Sequence, residues 1–380
     1  MPDQVRVCGD EISNMEIMNL EDCCEILDSM RIPITESDRE EGKYPYYGAN
    51  GIQDYVADYI FDDELVLLAE DGGNFGSKEK PIAYRVSGKC WVNNHAHVLK
   101  PKASLNVDYL CYSLMFYKVE GMINGATRQK LTQAAMRKMK IPLRSMKEQV
   151  YIVEQLNYIN QIKTQRQREL KLLENLIIAR FVEMFGDPVS NSYGLPEATL
   201  PELGKFGRGV SKHRPRNDPR LLDGEYPLVQ TGDVANASLY ITSYNSTYSE
   251  LGLKQSKMWS KGTLCITIAA NIAKTAILEF DACFPDSVVG FIANEKTNNI
   301  FIHYWFSFFQ AILESQAPES AQKNINLKIL SELKVIVPEK EKQNEFVDFV
   351  HQVDKSKDSV QKALDEAQLL FDSLMQQYFG

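Results

Sequence analysis

The sequence predicts an α+β protein made of two mixed α/β domains in tandem, each followed by a long coiled-coil helix. The main observation is an internal repeat: residues 149–186 and 343–380 are both 38 residues long and align without gaps. Both segments begin with Gln and end with Phe-Gly, and their apolar residues recur at alternating steps of four and three. The segments before the two helices share an order of strands and one apolar helix, which indicates a tandem duplication.

The predicted coiled-coil seam uses matching positions of the two segments. Its residues are Ile152, Leu156, Ile159, Leu170, Leu173 and Ile177, and then Phe346, Val350, Val353, Leu364, Phe371 and Leu374. At one level both helices carry a lysine, Lys163 and Lys357, and a polar seam residue fixes register at some cost in stability. At 1.5 Å per residue, each helix should span about 57 Å. Two unrelated amphipathic helices are the alternative, and they would have to match by chance.

The first domain is predicted to occupy residues 1–144 and to be rich in strands. The expected elements are strands at 64–70, 80–86, 95–99 and 139–143, a helix at 107–123, and turns at 48–51, 71–77 and 87–89. Ser145 and Glu148 then form a capping box that begins a spacer helix over 145–186. The sequence Gly-Asp-Pro at 186–188 is a strong stop signal.

A polar linker at 187–197 leads to the second domain, residues 198–338, which repeats the same plan. The expected elements are strands at 263–270, 275–280 and 333–338, a helix at 298–313, and a second spacer helix over 339–380. The two helices match with little drift, whereas the two domains, here called the first and second heads, diverge in sequence and loop length. A constant spacer joined to two variable heads indicates two related recognition tasks.

The charge distribution leaves room for a nucleic-acid partner. Although the net charge is −9, the first 60 residues hold 14 acidic and 4 basic residues, and the remainder holds 37 and 38. Basic loops outside the acidic segment are therefore free to meet phosphates. Seven cysteines without a Cys-x-x-Cys pattern favour reduced thiols in the cytoplasm. We expect no membrane span and no secretory signal, because long uncharged apolar stretches are missing from the sequence.

Catalytic motifs are missing as well. The sequence has no P-loop, no Asn/Asp-Pro-Pro-aromatic loop, no dinucleotide-binding glycine pattern, and neither His-Glu-x-x-His nor Gly-x-Ser-x-Gly. The acidic residues at 62–64 and 70–71, near Lys78 and Lys80, resemble a metal nuclease pattern only weakly, since turns are normally rich in such residues. His95 and His97 lie on one face of a predicted strand, but no third metal ligand is evident. Polar residues beside a loop are the better interpretation, and no metal site is predicted.

Nucleic-acid contacts are better supported. The stretch 206–220 has five Arg or Lys residues, and its Gly and Pro residues keep it out of a regular helix, although a merely solvated loop is the alternative. Arginine can bind guanine O6 and N7 with two hydrogen bonds, and Asn or Gln can pair with adenine. Basic loops at 126–130 and 321–324 occupy equivalent places in the two heads. The candidate DNA-binding residues are Asn74, Ser77, Lys78, Asn93, Asn94, His95, Arg128, Lys130, Arg208, Lys212, Arg214, Arg216, Asn271, Lys274, Gln322 and Lys323.

These features together resemble the specificity subunit of a type I restriction–modification system. The resemblance rests on YPYYGANGI (44–52), LLAEDGGN (67–74), WVNNHAHVLKP (91–101), GATRQKL (125–131) and IPLRSMKEQ (141–149). In the second head it rests on YPLVQTGDV (226–234), ITIAANI (266–272) and IVPEKEKQ (336–343). The motifs are individually loose, but their duplicated order covers nearly the whole chain. One departure is that Arg144 stands where the second copy has Pro338.

The resemblance implies two target-recognition domains that each read one half of a bipartite, asymmetric site in double-stranded DNA. It also implies that the two helices pack antiparallel with pseudo-two-fold symmetry, act as a ruler, and dock two modification (methyltransferase) subunits. S-adenosylmethionine would belong to those subunits, and ATP and Mg to restriction subunits when they are bound. This chain would then have no catalytic residue and no cofactor of its own. An approximate two-fold axis favours half-sites about 34–36 Å apart, or a multiple of that distance.

Two other functions remain open from the sequence. An orphan two-headed coiled-coil protein could bind another protein or RNA, and it would show no bipartite DNA preference. A stand-alone nuclease would cleave DNA in the presence of metal without partners. Neither the recognised bases nor the number of base pairs between half-sites can be read from the sequence, because base recognition depends on loop geometry, water and DNA deformation.

Overall fold

The computed structural model describes residues 16–125, 128–269, 272–316, 325 and 327–380. The chain divides into two compact units. One consists of Met1–Gln167 with Lys362–Gly380, and the other of Arg168–Gln361. Because the division falls inside both long helices, each helix contributes one part to each unit. The domain boundaries given above stay a prediction.

The first unit begins with a strand-rich head. Its elements are β1 (Glu16–Asn19), α1 (Leu20–Cys23), β2 (Cys24–Ile26), β3 (Glu41–Gly48), β4 (Gly51–Val56), β5 (Phe61–Ala69), β6 (Ala83–Val92), β7 (Ala96–Pro101), α2 (Val107–Met115), β8 (Ile123–Asn124), β9 (Lys130–Leu131), α3 (Gln133–Arg137) and β10 (Lys140–Leu143). The long helix α4 (Met146–Phe185) follows. The predicted capping box begins it, because the Ser145 backbone N–H donates to the Glu148 carboxylate (3.0 Å) and the Glu148 N–H to Ser145 Oγ (3.3 Å).

A six-stranded mixed sheet forms the centre of this head, in the order β2-β7-β5-β6-β3-β4. β5 is covered on both faces, which explains its continuous apolar run. Val66 and Leu68 pack in the main core with α2, whereas Leu65 and Leu67 pack in a second cluster on the opposite face. The loop that follows β5 therefore starts from a rigid, buried strand.

One predicted element of the first head is wrong and another is too long. The expected turn at 87–89 lies inside β6, opposite β5, and the strand passes through it because Gly88 adopts a φ of 75° that glycine tolerates. The expected helix at 107–123 ends at Met115. The apolar residues after Met115 still pack against the core, with Val119 buried and Met122 partly buried. They do so as part of a loop and not as part of a helix.

The second head contains more and shorter elements. They are β11 (Glu197–Thr199), α5 (Leu200–Leu203), β12 (Gly204–Arg208), β13 (Leu222–Leu228), α6 (Thr231–Asn236), β14 (Tyr240–Ile241), β15 (Ser246–Tyr248), α7 (Glu250–Lys254), β16 (Met258–Trp259), β17 (Leu264–Thr267), β18 (Thr275–Leu278), β19 (Ala282–Cys283), β20 (Val288–Ala293), α8 (Asn299–Gln316), α9 (Leu327–Glu332) and β21 (Lys334–Ile336). The second long helix, α10 (Lys340–Phe379), ends the chain.

The two heads share their frame and differ in their sheets. In each head the first strand pairs antiparallel with the last one: Glu16 lies opposite Leu143 in β1–β10, and Glu197 lies opposite Ile336 in β11–β21. A four-residue helix follows the first strand in both, α1 in one head and α5 in the other. The interior of the second head is built from a five-stranded sheet, β12-β20-β17-β18-β14, and a four-stranded sheet, β15-β13-β19-β16. The repeated frame confirms the predicted tandem duplication.

In the first unit, the beginning of α4 packs against the end of α10. Ile152, Leu156 and Ile159 are buried together with Phe371, and Leu374 packs against the same core while Leu364 is half-buried. Arg144 reaches the Tyr378 carbonyl oxygen (3.5 Å) and Lys163 lies over Phe371, so the two helices run antiparallel here. The Lys163 ammonium is 4.6 Å from the ring centroid, and burial lowers its pKa.

In the second unit, the end of α4 packs antiparallel against the beginning of α10. Ile177, Phe346, Val350 and Val353 are buried, and Leu170 and Leu173 are half-buried. Phe181 packs edge-on against Phe346 with 5.3 Å between ring centroids. Lys357 forms ion pairs with Glu174 (3.7 Å) and Asp354 (3.8 Å). Among the described residues, no helix is both long and apolar enough to cross a membrane.

Candidate nucleic-acid interface

Three distant segments of the first head meet at the end of β5. Glu70 follows this strand, and its N–H donates to the carbonyl oxygen of His95 (2.9 Å), just before β7. Its own carbonyl oxygen accepts from the N–H of Leu131 in β9 (2.7 Å). These backbone bonds place the basic residues Arg128 and Lys130 beside Glu70 and Asp71.

Asp71 holds two of the predicted DNA-binding residues together. Its Oδ1 lies 2.7 Å from Arg128 Nη2 and 2.7 Å from His95 Nδ1. The Asp71 side chain is 16% exposed, whereas the Arg128 side chain is 60% exposed, so the carboxylate lies beneath the guanidinium. Arg128 therefore presents its remaining N–H groups to solvent from a fixed base.

A second ionic network lies below this surface cluster. His97 is fully buried; its Nδ1 lies 2.7 Å from Asp28 Oδ2, and its Nε2 donates to the Leu131 carbonyl oxygen (2.9 Å). Glu70 accepts from Arg31 Nη1 (2.6 Å) and from Lys130 Nζ (2.9 Å). Lys130, a predicted DNA-binding residue, is thus anchored to the interior by its ammonium group while its side chain stays 49% exposed.

Three side chains of this network are of the types that bind metal ions. Asp28, Glu70 and His97 place one ligand atom each within 4.8 Å of one another, whereas His95 is not part of this group and pairs with Asp71. Arg31 bonds Glu70, and Gln133 Nε2 donates to Asp28 (2.9 Å). Because cationic and amide donors already occupy these carboxylates, the cluster fits an ion-pair network better than a cation site.

Burial and hydrogen bonding act in opposite directions on the two carboxyl groups. Burial alone would raise the pKa of Asp28, but the hydrogen bond and charge of His97 lower it below its usual value of 3.8. Burial would likewise raise the pKa of Glu70, and the hydrogen bonds from Lys130 and Arg31 lower it below 4.5. Both groups are therefore held as carboxylates.

The other predicted residues of the first head differ in how well they could reach DNA. Asn93 is 3% exposed; its side chain donates to Gln53 Oε1 (2.9 Å) and accepts from the His95 N–H (2.8 Å). Ser77 Oγ accepts backbone N–H groups within its own turn, and the Ser77 N–H donates to the Asn74 carbonyl oxygen (3.0 Å). Asn94 and Lys78 are exposed.

In the second head, one aspartate joins two arginines of the predicted basic loop. Arg214 Nη1 donates to the carbonyl oxygens of Ser211 (2.6 Å) and His213 (2.8 Å), and its Nη2 lies 3.5 Å from Asp286. Arg216 forms an ion pair with the other oxygen of Asp286. Arg214 and Arg216 side chains are 55% and 47% exposed, so both reach solvent.

The remaining candidates of the second head lie in this loop, between two strands, or outside the described residues. Arg208, at the end of β12, and Lys212 are exposed, while Lys274 is half-buried between β17 and β18. Asn271, Gln322 and Lys323 lie outside the described residues. Asp286 was missed by sequence reasoning because it lies 70 residues beyond Arg216 and belongs to no motif. Asp28 and Arg31 were missed because they too are distant in sequence from their partners, His97 and Glu70, and belong to no motif.

A family model describes nearly the whole chain. The model of the type I restriction modification DNA specificity domain matches residues 12–172 and again residues 197–368. The two matches agree with the duplication in the sequence and with the repeated frame of the two heads.

Known proteins of similar sequence extend along most of the chain. A protein of Haemophilus influenzae described as a type I restriction enzyme specificity subunit is 28% identical over 359 residues, 93% of this chain and 91% of its own length. A counterpart of Methanocaldococcus jannaschii, described as the MjaX specificity subunit, is 22% identical over 292 residues, 70% of this chain and 67% of that protein.

Solved structures show the same fold. The S subunit of a type I restriction–modification system from M. genitalium has a TM-score of 0.55 at 14% identity and covers 97% of this chain and 98% of that one. A structure from work on complex assembly and conformational transition of the type I R-M system has a TM-score of 0.57 at 14% identity, with 98% and 99% covered.

Proposed function

The chain belongs to the type I restriction modification DNA specificity family, and we propose that each of its two heads reads one half of a bipartite, asymmetric double-stranded DNA site. The observation that carries this proposal is that both heads present exposed arginines anchored by an aspartate: Arg128 with Asp71, and Arg216 with Asp286. Arginine provides both phosphate contacts and two-point recognition of guanine. Because the heads differ in sequence and in their sheets, the two half-sites should differ as well.

The two long helices have a separate task in this proposal. Each helix is 40 residues long and contributes to both units. We propose that they set the number of unspecified base pairs between the half-sites and dock two modification subunits. Those partners would supply S-adenosylmethionine and the methyl transfer, and restriction subunits would supply the ATP- and Mg-dependent steps.

The chain itself is proposed to be non-catalytic. Among the described residues, the group of three metal-type ligands is Asp28, Glu70 and His97, and two of these side chains are already paired with Arg31, Lys130 or Gln133. A hydrolytic metal needs carboxylates that are free to bind it. This pairing supports a positioning role for the cluster over a nuclease centre.

The proposal is tested by selecting DNA from a random double-stranded library with the full-length chain and its modification subunits. We expect enrichment of two different half-sites at a fixed separation, with binding that weakens steeply as salt rises. A second protein in which residues 198–338 come from another family member should exchange one half-site and keep the other.

Two outcomes would contradict the proposal. If no bipartite sequence is enriched, or if both half-sites change after the exchange, the heads do not read DNA independently. Preference for an RNA competitor over duplex DNA in the same experiment would instead support the alternative of an orphan two-headed binder.

A further inference from the structure

We propose that Asp71 and Asp286 are specificity-determining positioning residues, each of which fixes the guanidinium of an exposed arginine for recognition of a guanine. This inference rests on the proposed function and adds to it the base class and the residue responsible in each head. In the first head the reading residue is Arg128, and in the second head it is Arg216. Neither aspartate belongs to a basic motif, and each becomes visible only through its contacts.

The geometry of the first head keeps one guanidinium edge free. The described hydrogen bonds of Arg128 all use Nη2, which lies 2.7 Å from Asp71 and 3.3 Å from His95 Nδ1. His95 Nδ1 lies 2.7 Å from Asp71 Oδ1, and as a donor to that oxygen it does not accept from Nη2. Nη2 carries two hydrogens, so one of them can bond Asp71 while the other acts together with Nη1–H. Guanine O6 and N7 require two such parallel donors.

Asp71 is itself firmly held. It follows Glu70, whose backbone bonds to His95 and Leu131 join three segments. Asp71 also forms a backbone bridge with Lys130, and the N–H of Gly72 donates to the Gln129 carbonyl oxygen (3.3 Å). A carboxylate on such a base restricts the arginine that it binds, and a restricted side chain loses less entropy when DNA arrives.

The second head reaches a similar arrangement from different elements. Asp286 lies between β19 and β20, and its two oxygens face Arg216 and Arg214. Arg214 is also tied to the backbone of Ser211 and His213, so it fixes the position of Asp286 from the other side. Arg216 extends from this pair and remains 47% exposed.

Electrostatics distinguishes base reading from simple phosphate binding. A carboxylate beside an arginine repels the phosphate backbone and cancels part of the attraction to DNA. A surface built only for phosphate binding gains nothing from Asp71 or Asp286. Ion pairs whose arginine reaches solvent, here with 60% and 47% of the side chain exposed, also add little to folding stability, so stability does not account for them either. The remaining benefit is orientation of the arginine.

The experiment compares the full-length chain with its Asp71→Asn and Asp286→Asn variants, each bound to modification subunits, on the same random DNA library. Each variant should lose preference for guanine at one position of one half-site by about fivefold to hundredfold. The other half-site should be unchanged, and binding to unrelated DNA should be equal or tighter. Arg128→Lys and Arg216→Lys should reproduce the loss, because lysine keeps the charge without the two-point donor.

Glu21→Gln serves as the matched control, since Glu21 forms an exposed ion pair with Arg137 (3.4 Å), which is not one of the predicted DNA-binding residues. It should leave both half-sites unchanged. The inference is overturned if Asp71→Asn or Asp286→Asn selects the wild-type sequence with wild-type stringency. It is also overturned if a variant loses its whole half-site together with a lower melting temperature, which is the signature of a structural role. If the wild-type protein selects no bipartite site, the proposed function itself is contradicted, and this outcome is distinguishable from a failure of the inference about Asp71 and Asp286.

Discussion

At the scale of single residues, one buried glutamine in each long helix bonds that helix to the preceding head. Gln149 and Gln343 are both fully buried and lie 194 positions apart. Gln149 donates to the carbonyl oxygens of Ser104 (2.9 Å) and Arg144 (2.8 Å) and accepts from the Asn106 N–H (2.7 Å). The same amide geometry appears at Gln343, which explains why the repeat keeps this residue.

The glutamine in the second copy also accounts for the departure at residue 144. Gln343 donates to the carbonyl oxygens of Lys296 (3.0 Å) and Pro338 (2.9 Å), and it accepts from Thr297 Oγ1 (3.0 Å). Pro338 takes the place of Arg144. Because the glutamine bonds only the carbonyl oxygen of that residue, proline accepts this hydrogen bond as well as arginine does, whereas the Arg144 side chain has its own contact with the Tyr378 carbonyl oxygen.

Replacing either glutamine should destabilise its own unit. Gln149→Ala and Gln343→Ala leave buried backbone groups without a partner, and each should lower the free energy of unfolding by about 1–3 kcal/mol. Hydrogen–deuterium exchange should show the loss in the unit that carries the change. Gln165→Ala, at an exposed position of α4, is the control. Equal exchange in all three proteins would show that the buried amides contribute nothing.

The buried carboxylates of the first head make its stability dependent on pH. The pKa values of Asp28 and Glu70 are lowered in the folded state, below the ordinary values of 3.8 and 4.5. A lowered pKa stabilises the fold above the ordinary value and loses this contribution as pH falls through the folded value. The first unit should therefore lose stability as the pH falls below about 4.5, and these two carboxylates should cause no loss near neutral pH.

Urea unfolding at several pH values, monitored by hydrogen–deuterium exchange to separate the two units, measures this effect. Asp28→Asn should flatten the acid loss in the first unit and cost about 1–3 kcal/mol at pH 7, where Arg31 and His97 lose a charged partner. Glu21→Gln, on an exposed carboxylate, should leave the acid slope unchanged. An acid slope that Asp28→Asn does not alter would exclude this network as its source.

At the scale of elements, the two lysines in the seam have different surroundings. Lys163 lies over the ring of Phe371, whereas Lys357 pairs with Glu174 and Asp354. Burial raises the pKa of Asp354, and the Lys357 charge opposes that shift. The sequence places both lysines at one level of the repeat, but only packing decides that one meets an aromatic ring and the other meets carboxylates.

Lengthening both helices tests the ruler proposal. One extra heptad after Gln167 and one after Gln361 keeps the seam in phase, since seven residues make close to two turns. The added length of about 10 Å corresponds to roughly three base pairs at 3.4 Å each. Selection from a random library should return the same half-sites with a separation about three base pairs longer.

The control for this prediction inserts seven residues after Asn191, in the linker between α4 and β11. That change should leave the separation unaltered, because it lies outside both helices. Altered half-site sequences, or an unchanged separation after lengthening the helices, would contradict the division of work between helices and heads.

At the scale of the whole molecule, the duplication made much of the architecture predictable from the sequence. The helices, the closing strands and the family were predictable because heptad spacing, caps and repeated order are local or periodic signals. The two sheets of the second head were only partly predictable, since many of their strands have two to four residues. The apolar segment after Met115 was misread as helix because periodicity does not distinguish a packed loop from a helical turn.

The sequence by itself determined the duplicated plan, the two long helices and the basic loops, because each of these depends on repeated order or on residues close together in the chain. Only the tertiary structure decided which acids lie beside which bases. Asp71 reaches Arg128 across 57 positions, and Asp286 reaches Arg216 across 70. Such pairs form because sheet register and loop closure bring distant segments together, and no local pattern in the sequence specifies that register.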